Sequence, residues 1–245
     1  MKIKNGNNSE YFHSAIPSGM EGSFIDPASI NDTGTLVHLW PTMFFLRKIK
    51  TEKASWHIAL NNDIISATEK GDRSFKGDWR KSDFMTWKSP AAAAFRTFLA
   101  DSVRRRIAMS LGESANFTWQ WNGWVNLKSG FEWHQPHIHE KSTLSFVYYL
   151  EAPPPLDQRV LRTSVLEGGP IGGMIQFQDP RGAAPYMSCE LVDNVHSSVV
   201  RLVPLSGLLI IFPSYISHLV TPVSSTERRI SIAGNIFRIE ARGKR

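Results

Sequence analysis

Hydrophobic positions change their period once along this chain, near Gly112. Upstream, apolar residues recur at helical spacing. Residues 53–69 read as a helix with a mixed apolar face of Trp56, Ile58, Leu60, Ile64 and Ile65. A second helix starts at Ser89-Pro90, Ser as the N-cap and Pro in the first turn. It carries Phe95, Phe98, Leu99, Val103, Ile107 and Leu111 on one side and should stop at Gly112. Ahead of both, Leu36–Leu46 reads as a strand broken by Pro41. His38 in that strand reads as a core or edge residue. Residues 71–88 read as a loop.

Downstream of Gly112 the period is two, in short runs separated by turn signals. Strands are expected at 117–127, 143–150, 172–178, 199–203, 208–212 and 228–239, with further extended segments around the histidines. In the first, Trp119 and Trp121 share one face, Trp124 and Asn126 the other, and Gly123 marks a candidate bulge. Ser145, Val147 and Tyr149 share a face of the second. Residues 151–170 and 183–198 read as long loops, the first rich in Pro and Gly and the second carrying His196. Loops of that length often shape binding sites. The implied architecture is mainly β: a double-stranded β-helix (a jelly-roll, cupin-like barrel) with supporting N-terminal helices. In domain terms, 1–34 is an irregular or partly disordered lead-in. A single domain spans 35–239, with helical support at 53–112 and the barrel core at 117–239, followed by a basic tail at 240–245. No βαβ alternation and no internal repeat is visible, which disfavours a nucleotide-binding Rossmann layout.

Composition narrows the function classes. Of 245 residues, 42% are apolar and 20% charged, ordinary for a globular chain. The net charge of +6 reads mainly as solvated helix and tail charge, in Arg104-Arg105-Arg106 and Arg238–Arg245. No nucleic-acid-binding motif accompanies it. A single cysteine, Cys189, excludes an internal disulfide and a cysteine-based zinc site. No apolar run spans a membrane and no signal-peptide core opens the chain, so a cytoplasmic location is expected.

The candidate chemistry lies in His134-Gln-Pro-His137-Ile-His139, with His218 in Phe212-Pro-Ser-Tyr-Ile-Ser-His218. Imidazole is the commonest metal ligand near neutral pH. An H-x-H pair on an extended strand presents both rings on one face, and a third ring from a neighbouring strand can close one face of a metal. His137, His139 and His218 fit that pattern. His134 is the spare: an alternative ligand, a group supporting the ligands from behind, or a loop residue. A three-His set suits Fe(II), and also Zn(II), Ni(II) or Mn(II). On the last strand Arg229, Ser231, Ala233 and Asn235 alternate on one face. A guanidinium beside a hydroxyl suits a carboxylate. Tyr149 and Asn126 are further candidate partners of that acid, and Asn235 a support behind the ligands. Arg228 is assigned to the surface.

The ordered series Trp124-Val-Asn126, Gly130, His134, His137-Ile-His139, Ser145–Leu150, Phe177–Arg181, Pro204–Gly207, Phe212–His218 and Arg229-Ile-Ser231 resembles a family of bacterial and phage 2-oxoglutarate/Fe(II) oxygenases. That family is a branch of the prolyl-hydroxylase-like superfamily. The resemblance covers roughly residues 36–237. It implies Fe(II) as metal and 2-oxoglutarate as cosubstrate. By position, His137 and His139 occupy the H-x-D/E pair, with His139 standing where the superfamily has an acid. His218 is the distal histidine. Arg229 matches the arginine that grips the distal carboxylate of 2-oxoglutarate, and Tyr149 the tyrosine that assists it. The implied activity is a dioxygenase that hydroxylates a substrate and releases succinate and CO2. Two other readings are a cupin-type three-His dioxygenase that does not use 2-oxoglutarate, and a non-catalytic module stapled by its metal. Neither the residues nor the resemblance names the substrate, a small molecule or a peptide. Pairing of barrel edges leaves a homodimer open.

Overall fold

The computed structural model describes residues 42–72, 83–111, 117–128, 132–152, 173–181, 199–222 and 228–241. The lead-in, His38, Gly112, the loop stretches 153–172 and 182–198 with His196, and residues 242–245 lie outside these.

Among the described residues two α-helices and nine strands follow one another as β1 (Phe45–Lys48), α1 (Ser55–Glu69), α2 (Pro90–Leu111), β2 (Phe117–Lys128), β3 (His134–His137), β4 (Leu144–Glu151), β5 (Ile175–Gln178), β6 (Val199–Leu202), β7 (Leu208–Pro213), β8 (His218–Val220) and β9 (Arg229–Ala241). The strands form two sheets. One has five strands in the order β1-β7-β4-β9-β2, the other four in the order β3-β8-β5-β6. Every recorded pairing is antiparallel. This is the expected double-stranded β-helix.

The five-stranded sheet has two different faces because side chains alternate along a strand. Leu144, Phe146, Tyr148 and Leu150 of β4, Leu209 and Ile211 of β7, and Ile230, Ile232 and Ile236 of β9 pack in one core with Leu60, Ile64, Phe95, Leu99 and Val103 of the helices. Val147 and Tyr149 of β4, with Leu208, Ile210 and Phe212 of β7, face the other sheet in a second core with Ile175 and Phe177. Covering both faces explains why β7 has no polar position at all. Helix α2 begins as expected, with Ser89 Oγ accepting from the Ala92 N–H at 3.4 Å. In α1, Leu60 and Ile64 are fully buried while Ile58 is 50% exposed and leaves the apolar stripe. On the helix-facing side the largest buried polar group is His57. Its ring lies 2.6 Å from the Tyr148 hydroxyl and 3.2 Å from Ser206 Oγ, so both nitrogens have partners.

Several expectations are corrected. Of the expected Leu36–Leu46 strand, residues 36–41 lie outside the described residues, and the described strand, Phe45–Lys48, runs two residues past the expected end. The irregularity of β2 lies between Thr118 and Gln120, not at Gly123. Gly123 instead faces Gly234 across the β2–β9 ladder. A Cβ on Gly123 would meet the Ala233 carbonyl at 3.1 Å, and one on Gly234 would sit 2.6 Å from the Phe146 ring. The glycine pair therefore serves close approach. The 71–88 stretch contains a short 3-10 turn at Phe84–Thr86. There Asp83 Oδ1 accepts from the Met85 and Gly123 N–H groups, both at 2.9 Å, tying that segment to β2. β4 and β9 each run past their expected ends, to Glu151 and Ala241.

Candidate metal centre

The inward faces of the two sheets enclose a cavity of about 540 Å³. His137, His139 and His218 line it, and their candidate ligand nitrogens all lie within 4.8 Å of one another. Ring centroids are 4.3 Å apart for His137–His218, and 5.1 Å for both His137–His139 and His139–His218. The strand argument for this trio needs correction. β3 ends at His137, so His139 is held from the loop that follows. Its N–H donates to the Ser214 carbonyl at 3.0 Å, and that bond replaces a ladder bond.

Backbone carbonyls set the ring orientations. His137 Nδ1–H donates to the Gln135 carbonyl at 2.8 Å, and His218 Nδ1–H to the Ile216 carbonyl at 3.0 Å. Each bond places the proton on Nδ1 and leaves Nε2 a free lone pair, the arrangement metal-binding histidines use. Burial favours the neutral form of His139 and His218, the form a ligand needs. It pushes His218 down to about 3 and His139 down to about 4, with the other histidines adding smaller repulsions. No carboxylate joins the trio among the described residues: Glu140, next to His139, is exposed.

His134 also lines the cavity, although it is three residues from His137 and ideal alternation would turn it away. The β3–β8 ladder explains this. His134 pairs with Val220 and His137 with His218, three residues opposite two, so a bulge at Gln135-Pro136 resets the phase. Pro136 is tolerated because β3 is a sheet edge. Burial first, then the charges of Lys128 and Arg229, lowers the His134 pKa to about 4.

The same cavity holds the anion-binding candidate. Arg229, Ser231, Tyr149 and Asn126 all line it, as the inferred faces require. Arg229 is 2% exposed. One guanidinium nitrogen donates to the Gly173 carbonyl at 2.9 Å, while its Nε has no hydrogen-bond partner among the described residues. A buried guanidinium with an unused donor is costly unless an anion completes it. Its neighbour Arg228 points outward and pairs with Glu151 at 3.0 Å. Burial raises the Tyr149 hydroxyl to about 12, so it stays protonated and can donate. Asn235 lies deeper on the same face and does not line the cavity. It accepts from Ser145 Oγ at 2.9 Å. Among cavity residues not anticipated from sequence, Lys128 continues the Trp124/Asn126 alternation and was readable in principle. Trp133 and Gln135 were not, because the bulge hides their phase.

Residues 122–235, a little under half of the chain, match the family model described as "Putative 2OG-Fe(II) oxygenase". This stretch runs from β2 to β9 and holds every candidate ligand. The chain is similar in fold to a prolyl-4-hydroxylase from Pseudomonas putida (15% identity, 80% of this chain and 88% of that one, TM-score 0.52). It is also similar to AviO1 from Streptomyces viridochromogenes (10% identity, 83% and 93%, TM-score 0.52). A third likeness is to a prolyl hydroxylase from Trichoplax adhaerens in complex with a peptide fragment (16% identity, 79% and 83%, TM-score 0.50). No curated protein matches the sequence. Among the described residues no helix is long and apolar enough to cross a membrane.

Proposed function

We propose that this chain is a 2OG-Fe(II) oxygenase that holds its metal through His137, His139 and His218 and its cosubstrate through Arg229, aided by Tyr149, Ser231 and Asn126. The observation that carries the reading is Arg229: a buried guanidinium with an unsatisfied Nε, in the same cavity as three imidazoles, two of which, His137 and His218, hold Nε2 free. When bound, Fe(II) supplies dioxygen activation, coupled to decarboxylation of 2-oxoglutarate to succinate and CO2, for hydroxylation of the substrate. The chain's own residues position and exclude. Arg229 takes the distal carboxylate in charge-assisted hydrogen bonds. Tyr149 and Ser231, facing each other across the β4–β9 ladder, offer hydroxyls beside it. The apolar wall of Val147, Ile175 and Phe212 keeps water from the space between.

The unfilled guanidinium favours this reading over a three-His dioxygenase that binds substrate alone, which has no use for a buried cation at that position. An open cavity beside the ligands likewise favours chemistry over a closed structural metal. The substrate is a small molecule or a peptide. The peptide held by the Trichoplax relative is precedent for the second within this fold.

The test is an anaerobic titration with Fe(II) and then 2-oxoglutarate, following the visible metal-to-ligand charge-transfer band. Wild type should develop the band, and both His218→Ala and Arg229→Ala should lose or weaken it. No band in wild type carrying one bound iron per chain sinks the cosubstrate assignment.

A further inference from the structure

Two of the three candidate ligands depend on one short turn. The turn Pro213–Ile216 connects β7 to β8, and its Ile216 carbonyl receives the His218 Nδ1–H at 3.0 Å. Its Ser214 carbonyl receives the His139 N–H at 3.0 Å. His139 has left its strand, so this bond carries much of its placement. Whatever fixes the turn fixes both rings.

The turn is fixed by a buried polar chain. The Ser214 N–H donates to the Thr143 carbonyl at 3.2 Å. Ser214 Oγ lies 2.8 Å from Ser145 Oγ, and Ser145 Oγ donates to Asn235 Oδ1 at 2.9 Å. Ser145 has one proton and spends it on Asn235, so Ser214 is the donor to Ser145. Ser214, Ser145 and Asn235 are 0%, 1% and 5% exposed. Ser145 and Asn235 sit opposite each other on β4 and β9, two interior strands of the five-stranded sheet. A satisfied polar chain in a dry interior is directional in a way that packing is not. Apolar residues would fill the same space without setting where Ser214 points.

We infer that the chain Asn235–Ser145–Ser214 is the positioning device of the metal centre, setting His139 and His218 together through the Pro213–Ile216 turn. These are positioning residues: none is a candidate ligand. The inference rests on the three-His reading above and adds what holds that site in shape. Removing the Ser145 hydroxyl leaves the Ser214 hydroxyl and the Asn235 amide oxygen without partners, and the turn free to drift.

Cobalt(II) replaces iron in the test, because its d–d absorption reports ligand number and geometry without turnover. The full chain is titrated as wild type, Ser145→Ala, Ser145→Thr, Asn235→Ala, Ile210→Ala and His218→Ala. Ile210 is fully buried in the apolar cluster on the same side of the sheet and is not a member of the polar chain, so it controls for general destabilisation. Ser145→Ala and Asn235→Ala should each weaken cobalt binding about 10–100-fold and alter the d–d spectrum, the range for groups that orient metal ligands. Ser145→Thr keeps the hydroxyl and should restore the wild-type spectrum. Ile210→Ala should melt earlier yet bind with unchanged spectrum. Should Ser145→Ala fail to fold, Asn235→Ala reads the same chain from its other end. Wild-type affinity and spectrum in the Ser145 and Asn235 variants overturn the inference, as does an equal loss in Ile210→Ala. Tight cobalt binding by His218→Ala, or none by wild type, overturns the three-His reading on which it stands.

Discussion

The two faces of the five-stranded sheet are built from the same strands and solve opposite problems. The face toward α1 and α2 is apolar, with Phe146, Tyr148, Ile230, Ile232 and Ile236 buried among Leu60, Phe95 and Leu99. Its main buried polar group, His57, is partnered at both nitrogens. The face toward the cavity buries Ser145, Tyr149, Arg229, Ser231 and Asn235 on the alternate positions of the same β4 and β9. There Arg229 keeps a donor unused. On these two strands the apolar packing and the candidate binding groups are thus separated by residue parity rather than by region, and the unsatisfied Arg229 donor lies on the cavity side.

The comparison breaks most sharply at Phe95, fully buried on the helix-facing side and outside the cavity lining. Phe95→Ala opens a cavity there and should cost about 3–5 kcal/mol. Denaturant unfolding measures that loss. Metal affinity should survive wherever the variant is folded, and a parallel loss of metal binding would mean the faces are not separable.

Acid sharpens the contrast next. Burial holds His218 at about 3 and His134 and His139 at about 4, and lowers His57 as well. The unfolded chain titrates these rings near 6.5. As pH falls, the unfolded state takes up protons first. The stability contributed by neutral rings is therefore complete above about pH 6.5 and is lost progressively toward pH 4 and 3. The metal-free protein should melt at clearly lower temperature at pH 5 than at pH 7.5, and His218→Gln should flatten the slope. A melting temperature that does not change over that interval would contradict the dry environment assigned to the cavity histidines.

The smallest effects separate the neighbours Arg228 and Arg229. Arg228→Ala removes a surface pair with Glu151 worth about 0–1 kcal/mol and should leave 2-oxoglutarate binding intact. Arg229→Met removes a desolvated cation whose pairing is incomplete. It should leave stability unchanged or raise it by about 1–4 kcal/mol, while abolishing binding of the acid. Calorimetric titration with 2-oxoglutarate, beside thermal melts, checks both. Acid binding that survives in Arg229→Met would move the carboxylate site elsewhere, with Lys128 as the next cation lining the cavity.

Alternation alone made the inward sets legible: Ser145, Val147 and Tyr149 on β4, and Arg229 and Ser231 on β9. Those strands are regular, so parity read from sequence survives into three dimensions. The same rule failed where the backbone departs from regularity. It could not place His134, left open as alternative ligand, support or loop residue, because the bulge at Gln135-Pro136 is silent in the sequence. It put His139 on a strand that ends two residues earlier. It placed a bulge at Gly123, where a glycine pair instead allows two chains to approach.

Sequence by itself determined the change of hydrophobic period near Gly112, the helix start at Ser89-Pro90, the barrel class and the histidine and arginine candidates, because each depends on short-range spacing. Only the tertiary structure decided that Ser214 and Ile216, far along the chain from β3, hold His139 and His218 in place. It alone decided that Arg229 is buried with a donor to spare while Arg228 is not. Hydrogen-bond partners distant in sequence, and the burial that makes an unpaired donor costly, arise only when the two sheets close on each other.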